Sequence, residues 1–211
     1  MEIVDGQKVR IRFDGARCIH ARSCVLTQPK VFKANVEGPW IDPDAASPEE
    51  LLAVAERCPS GAIRVERLDG GPDELPSGRN VVAVLENGPY AVRGDLQLGG
   101  ASAGTRATLC RCGASNNKPY CDGSHAAAGF AATGEFPAPA ELPAWGDAGP
   151  LQISAVPNGP LKVSGPHEVT CGTGHPVKRG EVAFLCRCGA SANKPFCDGT
   201  HRKTGFEAAG S

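Results

Sequence analysis

A cysteine-bearing segment occurs twice in this chain. Leu109-Cys-Arg-Cys-Gly-Ala-Ser-Asn-Asn-Lys-Pro-Tyr-Cys-Asp-Gly-Ser-His125 returns as Leu185-Cys-Arg-Cys-Gly-Ala-Ser-Ala-Asn-Lys-Pro-Phe-Cys-Asp-Gly-Thr-His201. The copies stand 76 residues apart, counted from Cys110 to Cys186, and Gly129-Phe130 matches Gly205-Phe206 at the same offset. Further upstream, Asn87-Gly88-Pro89 matches Asn158-Gly159-Pro160 at an offset of 71, so the second copy holds five more residues before Cys186. They are expected around Cys171-Gly-Thr-Gly-His175-Pro176, as an enlarged hairpin loop. A chain duplicated in this way folds as two equivalent modules, each with four potential metal donors in a short stretch.

Each copy reads as three strands and a ligand loop. Val81–Glu86 and Leu151–Val156 carry β-formers, and Asn-Gly-Pro then marks a turn. Tyr90–Arg93 and Leu161–Ser164 follow, and Thr105–Cys112 and Glu181–Cys188 lead into the cysteines. A short helix is expected from about Asp122 and Asp198, whose carboxylates suit a helix start. Phe130 and Phe206 are expected to fold back onto a small core. Residues 1–67 differ. Val9–Phe13 and Ile63–Glu66 read as strands, and Pro48–Arg57 as a helix with Ser47 and Glu50 forming a capping box. The reading is α+β: a small N-terminal domain (1–67), a linker (68–80), a first module (81–136), a Pro/Ala-rich linker (137–150) and a second module (151–211).

Composition explains why such modules need a staple. Among 211 residues there are 27 Gly and 18 Pro, and aromatics make up only 5%. Small turn-rich domains bury too little apolar surface to be comfortably stable. Ten cysteines supply the staple. The N-terminal stretch has neither a basic nor an apolar signal region, so metal binding is favoured over disulfides and the expected location is cytoplasmic. A net charge of -1 gives no basic field for nucleic acid. No apolar run is long enough to span a bilayer.

The donor sets are Cys110, Cys112, Cys121 and His125, and Cys186, Cys188, Cys197 and His201. On an extended strand, side chains at i and i+2 share a face, so each Cys-x-Cys pair is placed to hold one metal. Cys-Asp-Gly-Ser/Thr-His sets a thiolate and an imidazole about one turn apart. Three cysteines and a histidine also make a structural zinc set, although zinc sites favour Cys-x2–4-Cys. Both copies match Cys-x-Cys-x2-Ser/Thr-x3-Pro-x-Cys-Asp-Gly-Ser/Ala/Thr-His at every specified position, including Ser115 and Ser191. At these residues the chain resembles the CDGSH iron–sulfur (mitoNEET-like) family. The resemblance implies a 2Fe-2S cluster in each copy, with Cys110/Cys112 and Cys186/Cys188 on an inner iron. Cys121/His125 and Cys197/His201 would hold a more exposed outer iron. It also implies tandem modules packed as an intrachain pseudo-dimer, hence a monomer with internal pseudo-two-fold symmetry. Imidazole in place of thiolate removes negative charge and raises the potential.

Four cysteines remain. Cys18-Ile-His-Ala-Arg-Ser-Cys24 and Cys58-Pro-Ser-Gly-Ala-Ile63, with Trp40-Ile-Asp-Pro-Asp44, resemble single-cluster ferredoxins, especially the divergent 4Fe-4S mono-cluster family. Ala21 stands where such a site has its middle cysteine. The resemblance therefore implies a 3Fe-4S cluster on Cys18, Cys24 and Cys58, or a 4Fe-4S cluster completed by His20 or a non-protein ligand. Cys171 reads as an uncommitted thiol in a Gly-rich loop, and His175 as exposed loop. His167 is given no role. Arg111, Arg187, Lys118 and Lys194 read either as screening cluster charge and meeting an acidic partner, or as ordinary solvated charges.

No flavin, nicotinamide or P-loop pattern is present, and no nucleophile–base pair remains once the ligands are assigned. The expected function is electron transfer without substrate turnover, through redox protein partners. The alternatives are cluster storage or transfer to apo iron–sulfur acceptors, and redox sensing.

Overall fold

The computed structural model describes residues 1–146 and 149–211, so Asp147 and Ala148 of the expected linker lie outside the described residues. The architecture is α+β and sheet-rich, with few helices, and the chain divides into two compact units, Met1–Leu75 and Pro76–Ser211.

In the first unit, β1 (Glu2–Asp5), β2 (Val9–Phe13) and β3 (Ile63–Arg67) form an antiparallel sheet in the order β1-β2-β3. Alternation sets its faces. Val9, Ile11, Ile63 and Val65 are buried, while Arg10 and Arg12 pair with Glu66 on the other face. Two helices complete the unit, α1 (Ser23–Thr27) and α2 (Pro48–Arg57). The bounds of α2 are those its sequence implied. Ser47 and Glu50 close a full capping box, and Leu51, Val54 and Ala55 are buried. Such a cap is worth about 1 kcal/mol, a large share for a helix of three turns. Strand β1 and helix α1 carried no clear sequence signal.

In the second unit, the strands are β4 (Val81–Val84), β5 (Tyr90–Leu98), β6 (Ala101–Leu109), β7 (Leu151–Ala155), β8 (Leu161–Cys171) and β9 (Pro176–Leu185). One short helix, α3 (Ser124–Ala127), follows the first ligand loop, and a 3-10 turn at Thr200–Arg202 follows the second. Within each copy the strands pair antiparallel. Between copies the pairing is reciprocal and parallel: β4 runs beside β8, and β7 beside β5. One apolar core results, drawing Val82, Tyr90 and Leu109 from the first copy and Ile153, Leu161 and Leu185 from the second.

Three strand expectations need correction. β5 and β8 run well past Arg93 and Ser164, to Leu98 and Cys171. The register shifts beside Gly94 and Gly165, which sit at φ 147° and 112°. Each glycine is a bulge inside a continuing strand rather than its end. The strands leading into the cysteines stop at Leu109 and Leu185, before the ligand loops. The extra length of the second copy is shared between a longer hairpin, β8–β9, and its turn at Gly172–His175.

Candidate metal centres

The ligand loops are built by return pairing. After β6 the chain loops out and comes back beside its end, where Leu109 bridges Tyr120. Cys110 N–H donates to Pro119 O at 2.8 Å, and Cys121 N–H to Thr108 O at 2.9 Å. The second copy repeats this, with Cys186 N–H on Pro195 O and Cys197 N–H on Phe184 O. Ser115 and Ser191, both nearly fully buried, pin the loops from within. Their hydroxyls donate to Tyr120 O and Phe196 O at 2.7 Å and accept from Asn117 and Asn193 N–H at 3.0 Å.

This return brings each predicted ligand beside a partner. Cys110 and Cys112 Sγ lie 3.7 Å apart, and Cys186 and Cys188 Sγ 3.8 Å apart. Cys121 Sγ lies 3.5 Å from His125 Nδ1, and Cys197 Sγ 3.4 Å from His201 Nδ1. A metal–thiolate bond of about 2.3 Å with a tetrahedral angle sets two sulfurs about 3.8 Å apart, and a sulfur and an imidazole nitrogen about 3.6 Å apart. All four pairs therefore suit one metal each. All ten cysteines are free. Among the described residues, no three His, Cys, Asp or Glu side chains converge on a single ion. The donors come in twos.

Several groups support the pairs. Backbone N–H groups of Ala114, Gly123, Ala190 and Gly199 point at Cys112, Cys121, Cys188 and Cys197 sulfurs, at 3.4 to 3.5 Å. Such donors stabilise thiolate charge and raise cluster potentials. The Cys112 thiol, hydrogen-bonded to Cys110, pulls the Cys110 pKa down. Burial raises those of Cys121 and Cys188. Asp122 is no helix cap; Gly123 occupies that position. Instead its carboxylate ties two loops together, accepting from Asn116 N–H at 2.8 Å and Ser124 N–H at 3.0 Å. Burial opposes its ionisation, but the Ser124 hydroxyl together with these N–H bonds outweighs it, holding the carboxyl at about 2. Asp198 is placed the same way, on Ala192 and Thr200 N–H.

The first unit holds the third set. Cys18 ends the 3-10 turn Gly15–Arg17, Cys24 lies in α1 and Cys58 ends α2. All three line one cavity of about 270 Å³ with Phe13, Trp40 and Ile63. Burial raises the Cys24 pKa, and Cys58 and Cys18 add to the effect. His20 and Ala21 also line the cavity, and His20 and Arg22 sit at φ 54° and 61°.

The family model described as "Divergent 4Fe-4S mono-cluster" matches residues 4–68. The model described as "Iron-binding zinc finger CDGSH type" matches residues 87–126 and again 158–202. Curated relatives include the ferredoxin MycCII of Micromonospora griseorubida, 37% identical over 62 residues, which span 28% of this chain and 84% of that protein. The uncharacterized protein YjdI of Escherichia coli (strain K12) is 36% identical over 59 residues, spanning 28% of this chain and 76% of that protein.

The chain carries a divergent 4Fe-4S mono-cluster domain and, behind it, two CDGSH-type iron-binding motifs.

No solved structure matches it. It is an iron–sulfur protein. Among the described residues, no helix is long and apolar enough to cross a membrane.

Within the CDGSH modules, four features differ from the sequence reading. Arg111 and Arg187 are not solvated; each is 1% exposed. The Arg111 guanidinium donates to the carbonyls of Gly88, Thr133, Leu85 and Ala132, and Arg187 to those of Gly159, Ala209 and Val156. Each arginine thus ties its Asn-Gly-Pro turn to the segment following its ligand loop. Phe130 and Phe206 cover these guanidinium groups, at 5.1 and 5.4 Å, rather than entering the apolar core. Lys118 and Lys194 donate to Ser115 O and Ser191 O. Cys171 is no loop thiol: it ends β8, fully buried, with its sulfur accepting from Phe136 N–H at 3.2 Å.

Tyr90 was missed altogether. It is fully buried, and its hydroxyl lies 2.8 Å from Cys186 O and 2.9 Å from Pro195 O, on the ligand loop of the other module. Its counterpart after the second Asn-Gly-Pro is Leu161, which has no hydroxyl to return the contact. Only the strand pairing between modules brings Tyr90 there.

Proposed function

We propose that this chain is an electron carrier with two 2Fe-2S clusters and a third cluster of the 3Fe-4S or 4Fe-4S type. Cys110, Cys112, Cys121 and His125 would hold the first, and Cys186, Cys188, Cys197 and His201 the second. Cys18, Cys24 and Cys58 would hold the third. The observation that carries this reading is the division of each four-donor set into two pairs, each at the spacing one tetrahedral metal requires. Clusters bound there supply one-electron redox chemistry. The chain's own groups do the rest. Thiolates and imidazoles would hold the iron, backbone N–H groups would offset thiolate charge, and the buried serines and arginines keep each loop closed.

Reciprocal pairing of β4 with β8 and of β7 with β5, together with one shared core, supports the intrachain pseudo-dimer. The reading makes the protein a cytoplasmic monomer without substrate turnover, serving redox protein partners. Iron and sulfide analysis with electron paramagnetic resonance on anaerobically purified protein tests the inventory. Two reduced 2Fe-2S signals and a third cluster signal are expected; zinc without sulfide overturns it. Transfer is tested by rapid re-oxidation with protein acceptors. Cluster gain by an apo-ferredoxin, matched by loss here and without electron flux, would instead establish a cluster donor.

A further inference from the structure

The two CDGSH modules differ in what surrounds their outer Cys/His pairs. After His125 the chain continues Ala126-Ala127-Ala128, all exposed. After His201 it continues Arg202-Lys203-Thr204, also exposed. An open groove of about 830 Å³ lies beside the second pair. Cys197 and His201 both line it, with Arg202, Phe184, Phe206 and Glu207. Phe184 is 47% exposed on β9, directly across from the exposed Lys162 of β8, and Val182 beside it is 45% exposed. None of Lys162, Arg202 and Lys203 forms an ion pair among the described residues. Glu207 is the opposing charge in the groove lining, while Asp198 nearby is engaged by backbone N–H groups.

We infer that this groove is the docking surface for an acidic redox protein, which makes the second module the chain's electron exit. The charge chooses the partner. Three unpaired cations around exposed apolar side chains suit carboxylates ringing an apolar patch. Transient redox complexes have this form: small interfaces, with charge supplying steering and orientation more than tight binding. The placement chooses the port. A partner seated here meets the edge of His201 and Cys197 directly, whereas the alanines after His125 offer no matching charge. A cluster held by this module would be oxidised by one electron as the partner is reduced by one, and no bond forms or breaks. The inference rests on the electron-carrier reading for its purpose, but the surface is testable separately.

An acidic flavodoxin is the probe, and a basic cytochrome c the control. Its affinity for the cluster-loaded full chain is measured by titration calorimetry as ionic strength rises from about 0.01 to 0.15 M, which shortens the Debye length from about 30 to 8 Å. Flavodoxin affinity is expected to fall roughly tenfold over that range, and by a similar factor at low salt in Arg202→Ala/Lys203→Ala. Glu207→Gln should tighten binding, and Ala126→Arg/Ala127→Lys should add affinity by building the same patch on the first module. Iron content of each variant checks folding. Flavodoxin affinity indifferent to salt and to residues 202 and 203, or cytochrome c binding as tightly as flavodoxin, overturns the surface. A small neutral quinone, which needs no docking, is the separate arm. Electrons reaching the quinone while flavodoxin ignores the substitutions leave the carrier standing without this port. Charge-dependent flavodoxin binding without electrons reaching either acceptor leaves the surface standing without the carrier.

Discussion

A Cβ on Gly113 would stand 2.7 Å from the carbonyl oxygen of Cys188, in the other CDGSH module. The relation is reciprocal: a Cβ on Gly189 would stand 2.5 Å from Cys112 O. The two Cys-x-Cys-Gly turns therefore meet backbone to backbone, and each glycine is at positive φ, 84° and 82°. Two separate reasons exclude a side chain there.

Gly113→Ala and Gly189→Ala should each destabilise the second unit by about 2–4 kcal/mol, combining left-handed strain with displacement of backbone that cannot give way. Gly129→Ala is the control, since Gly129 has φ 61° with nothing within 4 Å of its Cβ position. It should show the strain alone, about 1 kcal/mol. Thermal unfolding with iron content compares the three. Equal losses at 113 and 129 would mean that the contact between modules carries no weight.

Tyr90→Phe should affect one CDGSH module more than the other. Pro195 O keeps the Cys186 N–H, but Cys186 O loses the partner the phenol supplied, a loss of about 1–2 kcal/mol for a buried acceptor. Leu161 in the counterpart position means that the first module has nothing equivalent to lose. Cluster release into a chelator, followed by electron paramagnetic resonance of each site, should accelerate at the second site alone. Equal acceleration at both would count against this role.

Arg111→Lys should fail to substitute. A lysine ammonium cannot reach four carbonyls as the planar guanidinium does. Losing these bonds, although Leu85 O and Ala132 O keep a backbone N–H each, costs about 1–3 kcal/mol and frees the chain around Ala132 and Thr133. Denaturant melts report the first effect, and limited proteolysis in that segment the second. Arg187→Lys should release the segment around Ala209 in the same way.

His167 gives a pH dependence of known sign. It is 2% exposed, with Nδ1 2.7 Å from Gly165 O. Burial lowers its pKa and outweighs the Gly165 hydrogen bond, which raises it; Lys178 lowers it further against the smaller pull of Glu181. The folded state therefore prefers neutral imidazole, while the unfolded chain takes a proton near pH 6.5. The associated stability is present above about pH 6.5 and is lost as pH falls from there toward the depressed folded value. Thermal midpoints at about pH 7.5 and 5.5, compared between the wild type and His167→Gln, isolate this contribution because other acid effects cancel. A parallel decline in both proteins would remove His167 as a cause.

Local pattern carried much of the fold. The bounds of α2 followed from Ser47, Pro48, Glu50 and the apolar spacing, all within one segment. The donor pairs were also legible, since Cys110 and Cys112, or Cys121 and His125, are too close in sequence to separate far. The geometric reason differed from expectation: the Cys-x-Cys pairs sit on turns past the strand ends, not on strand faces. Gly94 and Gly165 misled because a glycine in a β pattern reads alike as a strand end or a bulge. Only the neighbouring strands decide between them.

By itself, then, the sequence determined the family, the duplication, the candidate ligands and the order of the domains, because each resides in contiguous residues. Tertiary structure alone decided which groups from distant segments meet. It set β4 beside β8, buried Arg111 among four carbonyls, sealed Cys171 under Phe136 and carried Tyr90 to Cys186. The same packing set Gly113 against Cys188. The physical reason is that backbone hydrogen bonds and a shared apolar core reward pairings between segments whose separation along the chain leaves no local trace.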